Sequence, residues 1–202
     1  EKTVVSTINP HSFVVAEKDQ KFKKALQKAD YLLADGVGII VAGMLFQKKI
    51  IRITGPDYFA EIHNFINSKF TDGQKISFFY LGGSSELLKK LINKISHSWP
   101  NIEIAGSYSP PFCDEFDQLE TENMIEAVNK SGADVLWVAM TAPTQEKWVY
   151  TNENKINSCL ISSVGAAFDF HAGTVRRAPK VIQRIGFEWL YRFIFEPKRL
   201  WR

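Results

Sequence analysis

The chain has 202 residues, of which 45% are hydrophobic and 23% charged, with a formal net charge of +3. That length builds one domain with a full core. The lack of any uninterrupted apolar run of about 18 residues excludes a membrane-spanning helix. Two isolated cysteines, Cys113 and Cys159, show no metal-ligand spacing and read as free thiols in a reducing compartment.

In chain order, apolar runs of strand length alternate with amphipathic stretches. Thr3–Ile8 reads as a strand and Ser12–Ala29 as one helix, with Phe13, Val14, Phe22, Ala25 and Leu26 as its apolar positions. Tyr31–Ala34 reads as a short buried strand, and Gly36–Phe46 as an apolar, buried helix. After the turn signal Gly55-Pro56, Asp57–Phe70 is helical. Lys75–Leu81 is a strand closed by Gly82-Gly83. Ser84–Ser98 is a helix with a serine cap and Glu86 in its first turn. Ile102–Gly106 is a strand, Ser109-Pro-Pro-Phe112 a loop, and Asp117–Lys130 a helix. Val135–Met140 is a strand, and Pro143 opens a helix to Lys155 as its first residue. Cys159–Val164 is the last strand, and Gly165–Gly173 reads as a loop.

This order predicts an α/β fold: a Rossmann-like parallel sheet flanked by helices, in a single domain over residues 1–202. Residues 1–183 form the sheet-and-helix core, and residues 184–202 a basic, aromatic C-terminal helical segment. Ligands of such sheets sit beyond the carboxyl ends of the strands, so the loops there are the place to look for chemistry.

Asp35 follows a strand and precedes Gly36 and Gly38, which suits a general base approached closely by a ligand. It equally suits a helix N-cap. Gly82 and Gly83 open a helix whose backbone N–H groups suit a phosphate, or else form an ordinary turn. Arg52 beside Gly55 suits a diphosphate, or is simply solvated. Gln145 suits an amide-like edge such as a base or an acetamido group, and Glu146 complements the helix dipole. Asp169, between Phe168 and Phe170, is a part-buried carboxylate that needs a partner, either a ligand or Arg176 or Arg177. Of the four histidines, His11 and His171 lie in candidate loops; none has metal spacing, and no Asp-x-Asp pair occurs.

The charge is unevenly placed. From Arg176 to Arg202 there are 8 Lys/Arg and 2 Asp/Glu, so the rest of the chain is acidic overall. Ile185, Trp189, Leu190, Phe193 and Ile194 share a helical face surrounded by Arg184, Arg192, Lys198, Arg199 and Arg202. Such a segment either lies in a membrane interface or docks on the core or on a second subunit.

Taken together, Asn9-Pro, Ala34-Asp35-Gly36-Val-Gly38, Arg52-x-x-Gly55-x-Asp57, Leu81-Gly82-Gly83, Pro143-x-Gln145-Glu146, Gly165-Ala-Ala-Phe-Asp169-Phe-x-Ala-Gly173, Arg177-Ala-Pro179 and Glu188-Trp189-Leu-Tyr-Arg192 resemble the WecG/TagA/CpsF glycosyltransferases. The match runs in order from about Thr7 to Arg202. The resemblance implies an inverting, metal-independent and cofactor-free transfer of a hexosyl unit, N-acetylmannosamine-like, its uronic acid or glucose-like, from a UDP-sugar. The implied acceptor is an undecaprenyl-diphosphate-linked sugar at the cytoplasmic face of the bacterial plasma membrane, in teichoic acid or surface polysaccharide synthesis. It implies Asp35 as base, Thr7 and Asn9 lining the sugar pocket, Arg52 on the diphosphate, and Gln145 and Asp169 on the nucleotide-sugar. The C-terminal arginines resemble an appendage that docks on an anionic membrane and closes the site. A homo-oligomer is a possible partner; nucleic acid is not.

Thr144 stands where the family commonly has a cation, and Phe112 is the surviving aromatic of a loop that usually reads Gly-Tyr-Phe. The family's preceding strand and helix are missing before Thr3, so the chain reads as a fragment. Two rival readings stay open beside the resemblance. A nicotinamide-dependent oxidoreductase calls for the full Gly-x-Gly-x-x-Gly fingerprint, which is absent. A non-catalytic nucleotide-sugar module needs no base.

Overall fold

A computed structural model of the chain describes residues 2–70, 75–184 and 186–195. Its centre is a six-stranded, all-parallel sheet in the order β2-β1-β6-β5-β3-β4. The strands are β1 (Thr3–Ile8), β2 (Tyr31–Ala34), β3 (Ser77–Leu81), β4 (Glu103–Tyr108), β5 (Val135–Val138) and β6 (Leu160–Ser163). Parallel strands need crossovers, and helices supply them: α1 (Pro10–Lys18), α2 (Gln20–Lys28), α3 (Val37–Leu45), α4 (Gly55–Lys69), α5 (Ser85–Ser98), α6 (Gln118–Ser131) and α7 (Thr144–Asn152). Three short helices follow the last strand: α8 (Ala167–Ala172), α9 (Lys180–Arg184) and α10 (Glu188–Phe195).

Alternation along β3 and β5 builds two cores, because successive strand residues face opposite sides of a sheet. Phe78, Tyr80 and Trp137 point to one side and meet Phe59 of α4, Leu88, Leu91 and Ile95 of α5, and Phe168 of α8. Phe79, Leu81, Leu136 and Val138 point to the other and meet Met124 and Val128 of α6 and Trp148 and Val149 of α7. His63 is fully buried in the first core. Its Nδ1 lies 2.7 Å from the Phe59 carbonyl and its Nε2 3.0 Å from the Tyr80 hydroxyl. Since a carbonyl only accepts, Nδ1 carries the proton and Nε2 accepts from Tyr80. Burial pushes the imidazole down to about 3, so it stays neutral.

The expected α/β sheet is borne out, and the elements depart from expectation in several places. The strand over Tyr31–Ala34, expected to be buried, is the edge strand β2, where Tyr31 and Leu32 are exposed because, among the described residues, β1 is the only strand that pairs with it. The single helix expected over Ser12–Ala29 is two, because Asp19 takes extended backbone and its carboxylate caps α2 by accepting from Phe22 N–H at 2.9 Å. The helix after Asp35 is apolar, but only Gly43 in it is buried. Pro143 stands at the N-cap of α7 rather than inside it. The loop expected over Gly165–Gly173 contains α8, whose Phe168 is fully buried in the first core. Elsewhere the punctuation residues do what their chemistry suggests. Thr54, Ser84 and Asp117 cap α4, α5 and α6 through their side chains, and Gly132 ends α6 in the left-handed region.

Candidate functional site

The carboxyl ends of β1, β2 and β6 converge. Asp35 N–H donates to the Ile8 carbonyl at 2.8 Å, continuing the β1–β2 ladder one residue past β2. Arg52 bridges Ala34 in parallel, and Ile53 N–H donates to the Ala34 carbonyl at 3.0 Å. Gly55 sits against β6: a Cβ there would fall 2.8 Å from the Val164 carbonyl oxygen, so only glycine permits this approach. Three loops that are far apart in sequence therefore meet around one carboxylate.

That carboxylate does not cap α3. The N-cap is Gly36, and it makes no side-chain cap bond. Asp35 instead accepts from Gly55 N–H, within the field of Arg52, Glu188 and Arg177. Burial raises its pKa above the usual carboxylate range, and Glu188 adds to that. The Gly55 hydrogen bond and the two arginines pull the other way and lose.

Around Asp35 lies a network in which two guanidiniums share one carboxylate. Arg52 Nη2 reaches Glu188 Oε2 and Arg177 Nε reaches Glu188 Oε1, each at 3.2 Å. Arg177 Nη1 pairs with Asp57 at 2.6 Å, and its Nη2 donates to Thr54 Oγ1 at 3.1 Å. Arg52 Nη1 also donates to the Gln183 carbonyl. Burial raises Asp57, but hydrogen bonds from Arg177 and Thr54 outweigh it and hold the carboxyl below its ordinary value. Arg52 Nε is buried without a protein partner. Glu188 fixes α10 to the sheet edge through these arginines. The side-chain chemistry alone did not single it out, although it stands in the Glu-Trp-Leu-Tyr-Arg motif; the Gly55 N–H that meets Asp35 has no sequence signature at all.

The structure brings Asn9, Asp35 and Arg52 together and places the other candidates around them. Thr7 is half-buried on β1. Asn9 caps α1, its Oδ1 accepting from Ser12 N–H at 2.8 Å. Gly82 and Gly83 make the turn from β3 into α5. Phe112 is exposed.

Gln145 was expected to read a ligand edge; it is buried, and its amide is taken up internally. Its Oε1 accepts from Met140 N–H and Gly165 N–H, each at 3.2 Å, and its Nε2 donates to Glu146 at 2.7 Å. It thereby ties the loop after β5 to the loop after β6. Asp169 lies in the first turn of α8. Arg177, one of its two expected partners, turns instead to Asp57, Thr54 and Glu188. His171 is half-buried, its Nε2 3.0 Å from the Pro56 carbonyl, and His11 is exposed.

Of the C-terminal residues, Arg184 lies in α9, Trp189 and Arg192 lie in α10, and Trp189 is exposed. Lys198, Arg199, Arg202 and Ile185 fall outside the described residues. Gly186 separates the two helices where one helical face was expected. Among the described residues no helix is long and apolar enough to cross a membrane. Nor, among them, does any group of three or more His, Cys, Asp or Glu side chains have the arrangement to hold a metal ion.

Glu146 is the second raised carboxyl. Burial pushes it from 4.5 to about 7, against the Gln145 hydrogen bond, and its Oε2 has no partner. A raised carboxyl favours the folded state while protonated, and that advantage is lost as pH rises through the folded value. The difference in melting temperature between Glu146→Gln and the wild type should therefore move in the variant's favour from pH 4.5 to above 7. Parallel melting curves across that range would refute the burial assignment.

The model of the Glycosyl transferase WecG/TagA/CpsF family matches residues 1–202. A Bacillus subtilis (strain 168) protein named N-acetylglucosaminyldiphosphoundecaprenol N-acetyl-beta-D-mannosaminyltransferase is 31% identical over 197 residues, covering 97% of this chain and 73% of that one. A Staphylococcus aureus (strain NCTC 8325 / PS 47) protein of the same name is 27% identical over 199 residues, covering 98% and 74%.

Proposed function

The chain belongs to the WecG/TagA/CpsF glycosyltransferase family, and from that premise we propose that it transfers an N-acetylmannosaminyl-like hexosyl unit from a UDP-sugar to an undecaprenyl-diphosphate-linked amino sugar, in teichoic acid or surface polysaccharide synthesis. The names of the two relatives support the sugar and the acceptor. The observation that carries the chemistry is the enclosed Asp35 carboxylate at the sheet edge, released from capping and set within the field of two arginines.

In the proposed reaction Asp35 takes the proton of the acceptor hydroxyl as its oxygen attacks C1 of the donor sugar. The C1–O bond to the diphosphate breaks and UDP leaves with the electron pair. One displacement inverts the anomeric centre. A carboxyl raised by burial is a stronger base than a solvated one, which suits it to this step near neutral pH. The leaving diphosphate gains charge, and Arg52, with Arg177 behind it, is the cation next to the base. In that reading Glu188 holds both guanidiniums in place until the diphosphate competes for them. Thr7 and Asn9 flank the sugar, Gly82, Gly83 and Phe112 serve the nucleotide-sugar, and Gln145 acts by fixing the two loops beside it. Asp169, in α8, serves the nucleotide-sugar as well. The reaction proceeds without a metal ion. The acceptor's lipid brings the enzyme to the cytoplasmic membrane face, where the C-terminal arginines dock.

UDP should raise the melting temperature more than ADP, GDP or NAD, and equally with and without a chelator, since a ligand that binds only the folded state stabilises it. A preference for NAD, or a strict need for a divalent ion, would overturn this reading.

A further inference from the structure

Among the described residues, the outer face of the most apolar helix of the fold is uncovered. In α3 and the turn after it, Val41 is 49% exposed, Met44 69%, Leu45 79%, Phe46 77% and Ile51 70%. A membrane-free globule does not ordinarily gather that much apolar side chain on one projection. Nor is the exposure that of a loose loop. Lys48 N–H donates to the Gly43 carbonyl at 2.8 Å, and Ile50 folds back on Gly43 so closely that a Cβ there would fall 2.6 Å from Ile50 Cδ1. The helix and the segment that returns from it form a compact hairpin, and its tip is built to hold Leu45 and Phe46 outward.

At that tip stand Lys48 and Lys49, both exposed and without a carboxylate partner among the described residues. Two occupants compete for such a face. A second copy of the chain would cover the apolar residues, but lysine is depleted from the centres of protein interfaces. Apolar and aromatic side chains flanked by unpaired lysines match the boundary of an anionic bilayer, where the rings enter the headgroup layer and the ammonium groups meet phosphate. The position agrees: α3 starts two residues after Asp35, so a hairpin seated in a leaflet holds the base at the membrane surface.

We propose that α3 and the turn through Ile51 form a bilayer-inserting hairpin that takes anionic phospholipid, separate from the basic C-terminal segment. The inference rests on the lipid-linked acceptor proposed above. The two elements flank the same site. The turn between α9 and α10 seats on the first turn of α3, where a Cβ on Gly186 would fall 2.0 Å from Val37 Cγ2.

The test is co-sedimentation of the full chain with vesicles of phosphatidylglycerol and phosphatidylcholine, and of phosphatidylcholine alone. The wild type is compared with Leu45→Glu/Phe46→Glu, Lys48→Glu/Lys49→Glu and, as a marker for the C-terminal segment, Trp189→Glu. Each hairpin pair should lower partitioning onto anionic vesicles about tenfold, with the melting temperature and its rise on UDP unchanged. Wild-type partitioning in both hairpin pairs, with loss only in Trp189→Glu, would overturn the proposal. So would a wild-type dimer, seen by light scattering, that Leu45→Glu/Phe46→Glu dissociates without changing vesicle binding. If the wild type binds no vesicles but is stabilised by UDP, the hairpin proposal falls and the glycosyltransferase reading stands. If vesicle binding behaves as expected but UDP does not stabilise the chain, the donor assignment falls instead.

Discussion

Asp35→Asn should retain the fold and UDP binding and lose most of the transfer activity, by about 10²–10⁴-fold, the usual contribution of a general base. The structure makes this substitution unusually clean. Asp35 caps no helix, so its removal takes no cap from α3. An amide oxygen still accepts from Gly55 N–H, so the contact that seats the loop survives. The substitution also removes a carboxyl that burial holds above its ordinary value, so stability at neutral pH should hold or rise. The measurement is kcat with a lipid-linked acceptor analogue beside a UDP titration of the melting temperature. Unchanged kcat would place the base elsewhere. Loss of UDP stabilisation together with activity would make Asp35 a binding residue instead.

Arg52→Ala should cost about 10²–10³-fold in kcat if its guanidinium stabilises the departing diphosphate, the range seen on removing one preorganised donor from a developing oxyanion. Arg52 is also bonded to Glu188 and the Gln183 carbonyl, so a structural role has to be separated from a chemical one. Arg52→Lys keeps a cation but not the two-pronged geometry that reaches Glu188 and Gln183 at once. Glu188→Gln keeps the shape of that partner and removes its charge. If Arg52 acts on the diphosphate, Arg52→Ala lowers kcat, Arg52→Lys recovers part of it, and Glu188→Gln tightens UDP binding because the competing carboxylate is gone. If Arg52 only anchors α10, Arg52→Ala and Glu188→Gln lower the melting temperature alike and neither changes UDP affinity.

The sequence by itself determined the sheet and where along the chain each of its strands lies. Val135–Val138 and Phe78–Leu81 are continuous apolar runs, and a strand buried on both faces has few other readings. The serine cap at Ser84 was equally plain, its short polar side chain satisfying a free N–H of α5, whereas the caps at Thr54 and Asp117 emerged only from the structure. The family was legible as well, because its motifs recur in order along the chain and the family model matches residues 1–202.

Local pattern failed where a residue had two equally good local uses. Ser12–Ala29 looked like one helix and is two, split where Asp19 takes extended backbone and caps α2. Asp35 suited a base and a cap alike, and it does not cap α3. Gly36–Phe46 looked buried because apolar residues ordinarily are, yet Val41, Met44, Leu45 and Phe46 lie where no other described element covers them. Periodicity reports which residues are apolar, not what stands opposite them. Only the tertiary structure decided that Gly55 N–H meets Asp35, that Glu188 spans Arg52 and Arg177 over more than a hundred residues of chain, and that Gln145 joins two strand-end loops rather than facing a ligand. Each is a contact between segments brought together by the crossovers of a parallel sheet. Spacing along the chain does not encode such a contact; the strand order does.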